Sequence, residues 1–245
     1  MSRRRRWSVG DAMGVVIIVA ALVWAFAPGV GWDLLGLRSR LGWPPQRSGE
    51  ALSSLPDGEA ARQLRALTVR DHDEESETPD YDRGEFGQRW ADTDHNGCDT
   101  RNDILARDLA RPTFKDGTRG CLVLSGTLAE PYTGKTIEFR RGEKTSSLVQ
   151  IDHVVALADA WRSGAWQWEA GQRQEFANDP DNLLAVDGDA NEDKSASAAD
   201  RWLPPNAAFR CDYVKRQISV KSRYGLSVTR SEQDAMAQQL STCPG

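Results

Sequence analysis

The sequence predicts an α+β domain, stapled by disulfides and preceded by one N-terminal transmembrane segment. Three observations carry this reading. Short apolar runs of strand character alternate with stretches of helical periodicity from Tyr81 onward. Arg3-Arg4-Arg5-Arg6 precede an uncharged apolar run from Ala12 through Phe26 that continues to about Trp32. The cysteines number four, Cys98, Cys121, Cys211 and Cys243, an even count of the kind used in oxidising compartments.

The chain has 245 residues, 39% of them hydrophobic and 27% charged, which suffices for a packed core. Its net charge of -5 argues against a protein that coats nucleic acid non-specifically, yet leaves room for an enzyme that touches a few phosphates through a local basic face. Residues 1–11 read as a cytoplasmic basic tail and 12–32 as the membrane segment, because roughly 17–25 apolar residues span a bilayer and positive flanks stay inside. Ala25-Phe26-Ala27 has the small-x-small form of a signal-peptidase site, but Pro28 directly after it disfavours cleavage. An anchor with everything after it outside the cytoplasm is therefore expected over a secreted, cleaved form. Residues 33–56, rich in Gly, Pro, Ser and Arg, read as a stalk, and 57–245 as the folded domain.

Within that domain, Ala60, Leu64 and Leu67 at helical spacing predict a helix from Asp57 to near Val69. Phe86, Trp90, Ile104, Leu105 and Leu109 read as helix faces. Strands are expected over Cys121–Leu128, Lys135–Phe139 and Ser147–His153, and helices over Ala156–Trp161, Glu169–Phe176, Asn191–Trp202 and Phe209–Tyr224, the last broken at Gly225. Sequence proximity favours the pairings Cys98–Cys121 and Cys211–Cys243 among three possible.

Chemistry concentrates between Ile151 and Lys194. Asp152 supplies a carboxylate, the preferred donor for a hard cation, beside the imidazole of His153, which can deprotonate water near neutral pH. Asn191 and Lys194, at i and i+3, share one helix face. Asn191 can add an amide oxygen to the same cation, and Lys194 can bind a phosphate or steady a leaving oxygen. Its other reading is a solvated surface lysine, as that of Asn191 is a helix N-cap. Asn182, ahead of Leu183-Leu184-Ala185-Val186, suits an organiser that ties the Asp152–His153 loop to the second half of the motif. Asp187 and Asp189 are reserve ligands or ordinary turn residues.

Asp152-His153-Val154-Val155, Asn182-Leu183-Leu184 and Asn191-x-x-Lys194 together resemble the HNH endonuclease motif of the ββα-metal (His-Me finger) nucleases. The pattern is similar in particular to the nuclease domain at the C-terminus of GmrSD-type restriction enzymes and to exported proteins that carry that domain alone. Phe86-Gly87-x-x-Trp90, Asn96 through Asp103 and Trp202-Leu203-Pro204-Pro205-Asn206 extend the likeness over roughly Tyr81 to Cys243. The resemblance implies a ββα-metal core with added helices. Asp152 and Asn191 would hold one divalent cation, His153 would act as general base, and Asn182 would be the central Asn. Asn191 stands where the motif's second His is usual, which favours Mg2+ (with Mn2+ as substitute) over the softer Zn2+. The implied activity is hydrolysis of nucleic-acid phosphodiesters, DNA before RNA, with little sequence specificity.

Arg210, Lys215, Arg216, Lys221 and Arg223 form a basic stretch that could face a phosphate backbone or simply be a solvated helix face. Asp92-Thr93-Asp94-His95-Asn96-Gly97, with Asp103 at position 12, has the start of a calcium loop, against which stand Asp99 at position 8 and the want of a final Glu. Asx-turn chemistry explains the same residues. The rival function is a non-catalytic surface module that uses the scaffold to bind calcium or a partner. No protein partner is inferable.

Overall fold

A computed structural model describes residues 50–55, 57–71, 77–142 and 146–244. The predicted membrane segment 12–32 lies outside these residues. Among the described residues, no helix is long and apolar enough to cross a membrane.

In chain order the elements are α1 (Glu50–Ser53), α2 (Glu59–Ala66), a 3-10 turn (Arg83–Phe86), α3 (Thr100–Asp108), β1 (Leu109–Phe114), β2 (Val123–Ala129), β3 (Thr136–Arg140), β4 (Val149–His153), α4 (Leu157–Arg162), α5 (Ala170–Asn178), β5 (Leu183–Asp187), α6 (Gly188–Lys194), α7 (Arg210–Tyr224) and α8 (Arg230–Leu240). The fold is mixed α and β. One antiparallel sheet has the order β1-β2-β3, and a separate antiparallel pair joins β4 to β5. Both disulfides form as proximity favoured, Cys98–Cys121 and Cys211–Cys243.

The run Leu183-Leu184-Ala185-Val186 has no polar alternation because β5 is buried on both faces. Leu183 and Ala185 join Ile104, Leu105, Val123, Phe139, Val149 and Ile151 in one core. Leu184 and Val186 point the other way, into a core with Leu64, Tyr132, Val214, Ile218 and Met236. A third cluster packs Phe86, Val155, Trp161, Phe176 and Val220. The β4–β5 pair is thereby fixed from both sides.

Several elements differ from expectation. The helix expected over Asn191–Trp202 instead spans Gly188–Lys194: Asp187 caps it by accepting from the Ala190 N–H at 3.0 Å, and Ser195 ends it at φ 49. Asn191 is thus an interior helix residue and not a cap. Leu109 opens a strand instead of closing a helix face. Trp90 lies outside any helix, at φ 57. Helix α8 escaped the pattern reading although its Thr229–Glu232 capping box is legible. Glu50–Ser53, within the stretch read as stalk, form α1, and Leu55 just after it is buried in the core that also holds Leu64 of α2.

Candidate active site

Strand β4 ends at His153, opposite Leu183 of β5, and α6 follows β5 without a break. Gly188 makes this join possible. A Cβ there would sit 2.2 Å from the Ser147 carbonyl oxygen, so only glycine lets α6 start hard against the entry to β4. Asp152, His153 and Asn191 all line one cavity of about 360 Å³.

Adjacent strand residues send Asp152 and His153 to different surroundings. The Asp152 carboxylate is buried in the Tyr132 side of the fold. Its Oδ1 accepts from Lys194 Nζ at 2.9 Å and its Oδ2 from the Tyr132 hydroxyl at 2.5 Å. Burial pushes its pKa up, against the pull of Lys194 and of the Tyr132 hydrogen bond. Burial likewise lifts the Tyr132 hydroxyl well above its ordinary range, helped by the Asp152 charge, so the phenol stays a donor.

His153 Nε2 lies 2.8 Å from the Ala177 carbonyl oxygen. A carbonyl can only accept, so Nε2 carries the proton and Nδ1 keeps its lone pair. Burial drives the imidazole pKa from 6.5 to about 3, opposed by the Ala177 hydrogen bond and reinforced by the nearby charges of Arg83, Lys194 and Arg89. The indole of Trp90 is stacked near the ring, 6.1 Å between centroids at 11°.

Asn182 is fully buried and ties the two halves together. Its Oδ1 accepts from Val155 N–H at 2.8 Å, its Nδ2 donates to Val155 O at 3.2 Å, and its own carbonyl accepts from Val154 N–H at 2.8 Å. Lys194 is at 0% exposure, which removes the reading as a solvated lysine. Its ammonium is committed to Asp152 and to the His153 carbonyl, the latter at 2.8 Å, so it steadies the strand end and is not turned outward to a phosphate. Asn191 donates through Nδ2 to Gln150 Oε1 at 2.7 Å, and its Oδ1 has no partner among the described residues.

Among the described residues, no three His, Cys, Asp or Glu side chains group as a metal site. A hard cation here would meet the Asn191 Oδ1 and only the remaining lone pairs of the Asp152 oxygens, both of which already accept hydrogen bonds, with water filling its other positions. Asp189 is exposed and Asp187 is spent on capping. In the Asp92–Asp103 loop the carboxylates accept from backbone: Asp92 from Asn96 and Gly97, Asp94 from Asn96, and Asp99 from Asn102. These are Asx-turn hydrogen bonds.

The basic stretch on α7 does not act together. Lys221 is completely buried, 2.8 Å from Asp159 Oδ2 and 2.7 Å from Glu232 Oε1, which corrects its assignment to a nucleic-acid face. The reason lies in the helix period, which turns Lys221 inward with Val214 and Ile218. Arg223 is paired with Asp179 and Asp181. Lys215 and Arg216 line a different cavity with Arg107 and Asp212. Tyr132, missed from the sequence, sits in a turn where the Glu130 carboxylate accepts from the Tyr132 and Thr133 N–H groups. Its place between Pro131 and Thr133, in no apolar run, hid it.

Residues 99–239 match the family described as GmrSD restriction endonucleases, C-terminal domain. The chain belongs to this family. An uncharacterized secreted protein of Arthroderma benhamiae is 38% identical over 193 residues, covering 78% of this chain and 88% of that protein. No solved structure matches. The GmrSD C-terminal match takes in β4, β5, α6 and α7, and hence Asp152, His153, Asn182, Asn191 and Lys194.

Proposed function

We propose that the chain is a divalent-metal-dependent nuclease that acts outside the cytoplasm and cleaves nucleic acid with little sequence preference, DNA before RNA. The observation that carries this reading is the convergence of Asp152, His153 and Asn191 on one cavity, with the imidazole held in a single tautomer. The order β4, β5, α6 is what a ββα-metal core would require, and the family gives the reading its second support.

Asp152 and Asn191 would hold the cation, Mg2+ or Mn2+, whose chemistry when bound is to polarise the scissile phosphodiester and offset the charge that builds on it. His153 Nδ1 takes the proton from the attacking water, and the Ala177 carbonyl stabilises the imidazolium that forms. General-base help is typically worth roughly 10²–10⁴-fold, and least for a base as weak as this buried imidazole. Lys194 and Tyr132 orient the carboxylate, and Asn182 holds the loop after His153. Two disulfides and a secreted relative support the compartment.

Incubating the full chain with plasmid and with RNA, in Mg2+, Mn2+, Ca2+ or EDTA, tests the proposal. Cleavage should need the metal and vanish in EDTA. His153→Ala should abolish cleavage while nucleic-acid association persists, and unchanged turnover in that variant would end the assignment.

A further inference from the structure

Three guanidinium groups, from Arg83, Arg89 and Arg101, line the same cavity as Asp152 and His153. Asp152 is the sole carboxylate among its described lining residues, and both of its oxygens already accept hydrogen bonds from Lys194 and Tyr132. On a chain of net charge -5 this is a local concentration of positive charge facing open space.

The arginines are placed, not merely near. Arg101 stands in the first turn of α3 and donates to the Val149 carbonyl at 3.1 Å, a neutral partner that holds the fork, while the Asp99 carboxylate nearby offsets only part of its charge. Burial, followed by the like charges of Arg141 and Arg89, presses its pKa down, as expected where guanidinium groups crowd together. Arg89 has no carboxylate partner among the described residues, and its guanidinium lies 5.6 Å over the Trp90 ring. Arg83 opens the 3-10 turn. That turn is nailed down: Phe86 is in the core, and Arg173 donates to the Glu85 carbonyl at 2.8 Å and pairs with the Glu85 carboxylate at 3.0 Å. Gly87, at φ 71, fits against Gln174 where a Cβ would come within 2.8 Å of that side chain.

We infer that Arg83, Arg89 and Arg101 form the phosphate-binding wall of this site. Arg101 meets the reacting phosphodiester, and Arg83 and Arg89 meet the phosphates that flank it. The division follows from exposure: Arg101 is partly buried and fixed to β4, whereas Arg83 and Arg89 are exposed on the rim. A guanidinium fork suits phosphate oxygens bidentately. The inference rests on the nuclease reading and names residues from a segment ahead of its motif, in place of the α7 stretch.

The test measures association of a labelled single-stranded oligonucleotide with the full chain across a salt series without added metal, and cleavage kinetics with Mg2+. Arg83→Ala and Arg89→Ala should each weaken association, flatten the log–log salt slope by about 0.7, and raise KM by a larger factor than they lower kcat. Arg101→Gln, which keeps an N–H for the Val149 carbonyl, should lower kcat by roughly 10²–10³-fold with little change in association. Arg101→Lys should recover only part of that loss, because a point charge lacks the fork. Unfolding midpoints of the variants exclude a folding defect. Active unmodified chain with arginine variants that match it in slope and kcat would overturn the inference and spare the nuclease reading. So would a larger loss from Lys215→Ala and Arg216→Ala together. Absence of any cleavage or association by the unmodified chain would remove both.

Discussion

His153 stays neutral in the folded protein far into the acid range, because burial penalises the imidazolium by more than the Ala177 hydrogen bond favours it. Two consequences separate it from a solvated histidine. As the proposed base, His153 is unprotonated at any pH above about 3, so cleavage should show no half-loss at pH 6.5 from this group. Stability follows the opposite sense. Between 6.5 and about 3 the unfolded chain holds a proton that the folded chain does not. The contribution is therefore intact above pH 6.5 and drains as pH falls, by up to about 1.4 kcal/mol per pH unit. Denaturant unfolding of the unmodified chain and of His153→Gln from pH 7 to 4 checks this: the stability difference should move against the unmodified chain with acid. A pH-independent difference would mean that the imidazole is solvated. The residue types of the site were legible from Asp152, His153 and Asn191 in the sequence. The partners that set their states were not, since the Ala177 carbonyl and Tyr132 contribute a backbone atom and a lone phenol that carry no spacing signal.

Among the elements, the join between β5 and α6 sets the position of Asn191 and Lys194 relative to β4. Gly188→Ala should force α6 away from the Ser147 carbonyl, costing about 1–3 kcal/mol of stability. The loss of cleavage should exceed what the lost stability explains, measured at a temperature where the variant is folded. Equal activity of the folded variant would show that α6 placement is not critical. Most elements were legible because their apolar periodicity coincides with their packing: α2, β2, β3, β4, α4, α5 and α7 fall within a few residues of expectation. Strand β5 was not, because a strand buried on both faces loses the alternation that marks one. Helix α6 was misplaced because its N-cap, Asp187, lies in an Asp-Gly-Asp sequence that reads equally as a turn.

For the molecule as a whole, a buried ion cluster joins distant parts of the chain. Lys221 of α7 meets Asp159 of α4 and Glu232 of α8, and Arg70 donates to the Ser163 hydroxyl at 3.2 Å and the Ser227 carbonyl at 3.1 Å. Burial works against the Lys221 charge, but the two carboxylates outweigh it and raise its pKa. Lys221→Met leaves Asp159 and Glu232 buried with only the longer contacts of Arg162 at 3.7 Å and Arg70 at 4.0 Å, and should cost about 3–5 kcal/mol in chemical denaturation. A cost under about 1 kcal/mol would mean that the cluster is not dry. The α+β class and the disulfide pairing were open to sequence reasoning through composition and proximity. This cluster was not, since Lys221 sits in a run of surface-like charges and only the helix turn decides which of them points inward.

The sealing of Lys194 under α6 also makes it a sentinel. An amine-reactive label applied to the native protein should modify the exposed Lys215 promptly and leave Lys194 untouched, as read by peptide mass mapping. Labelling of Lys194 would then mark the moments when the last turn of α6 lifts off the strand, which dates the opening of this wall of the cavity without any substrate present.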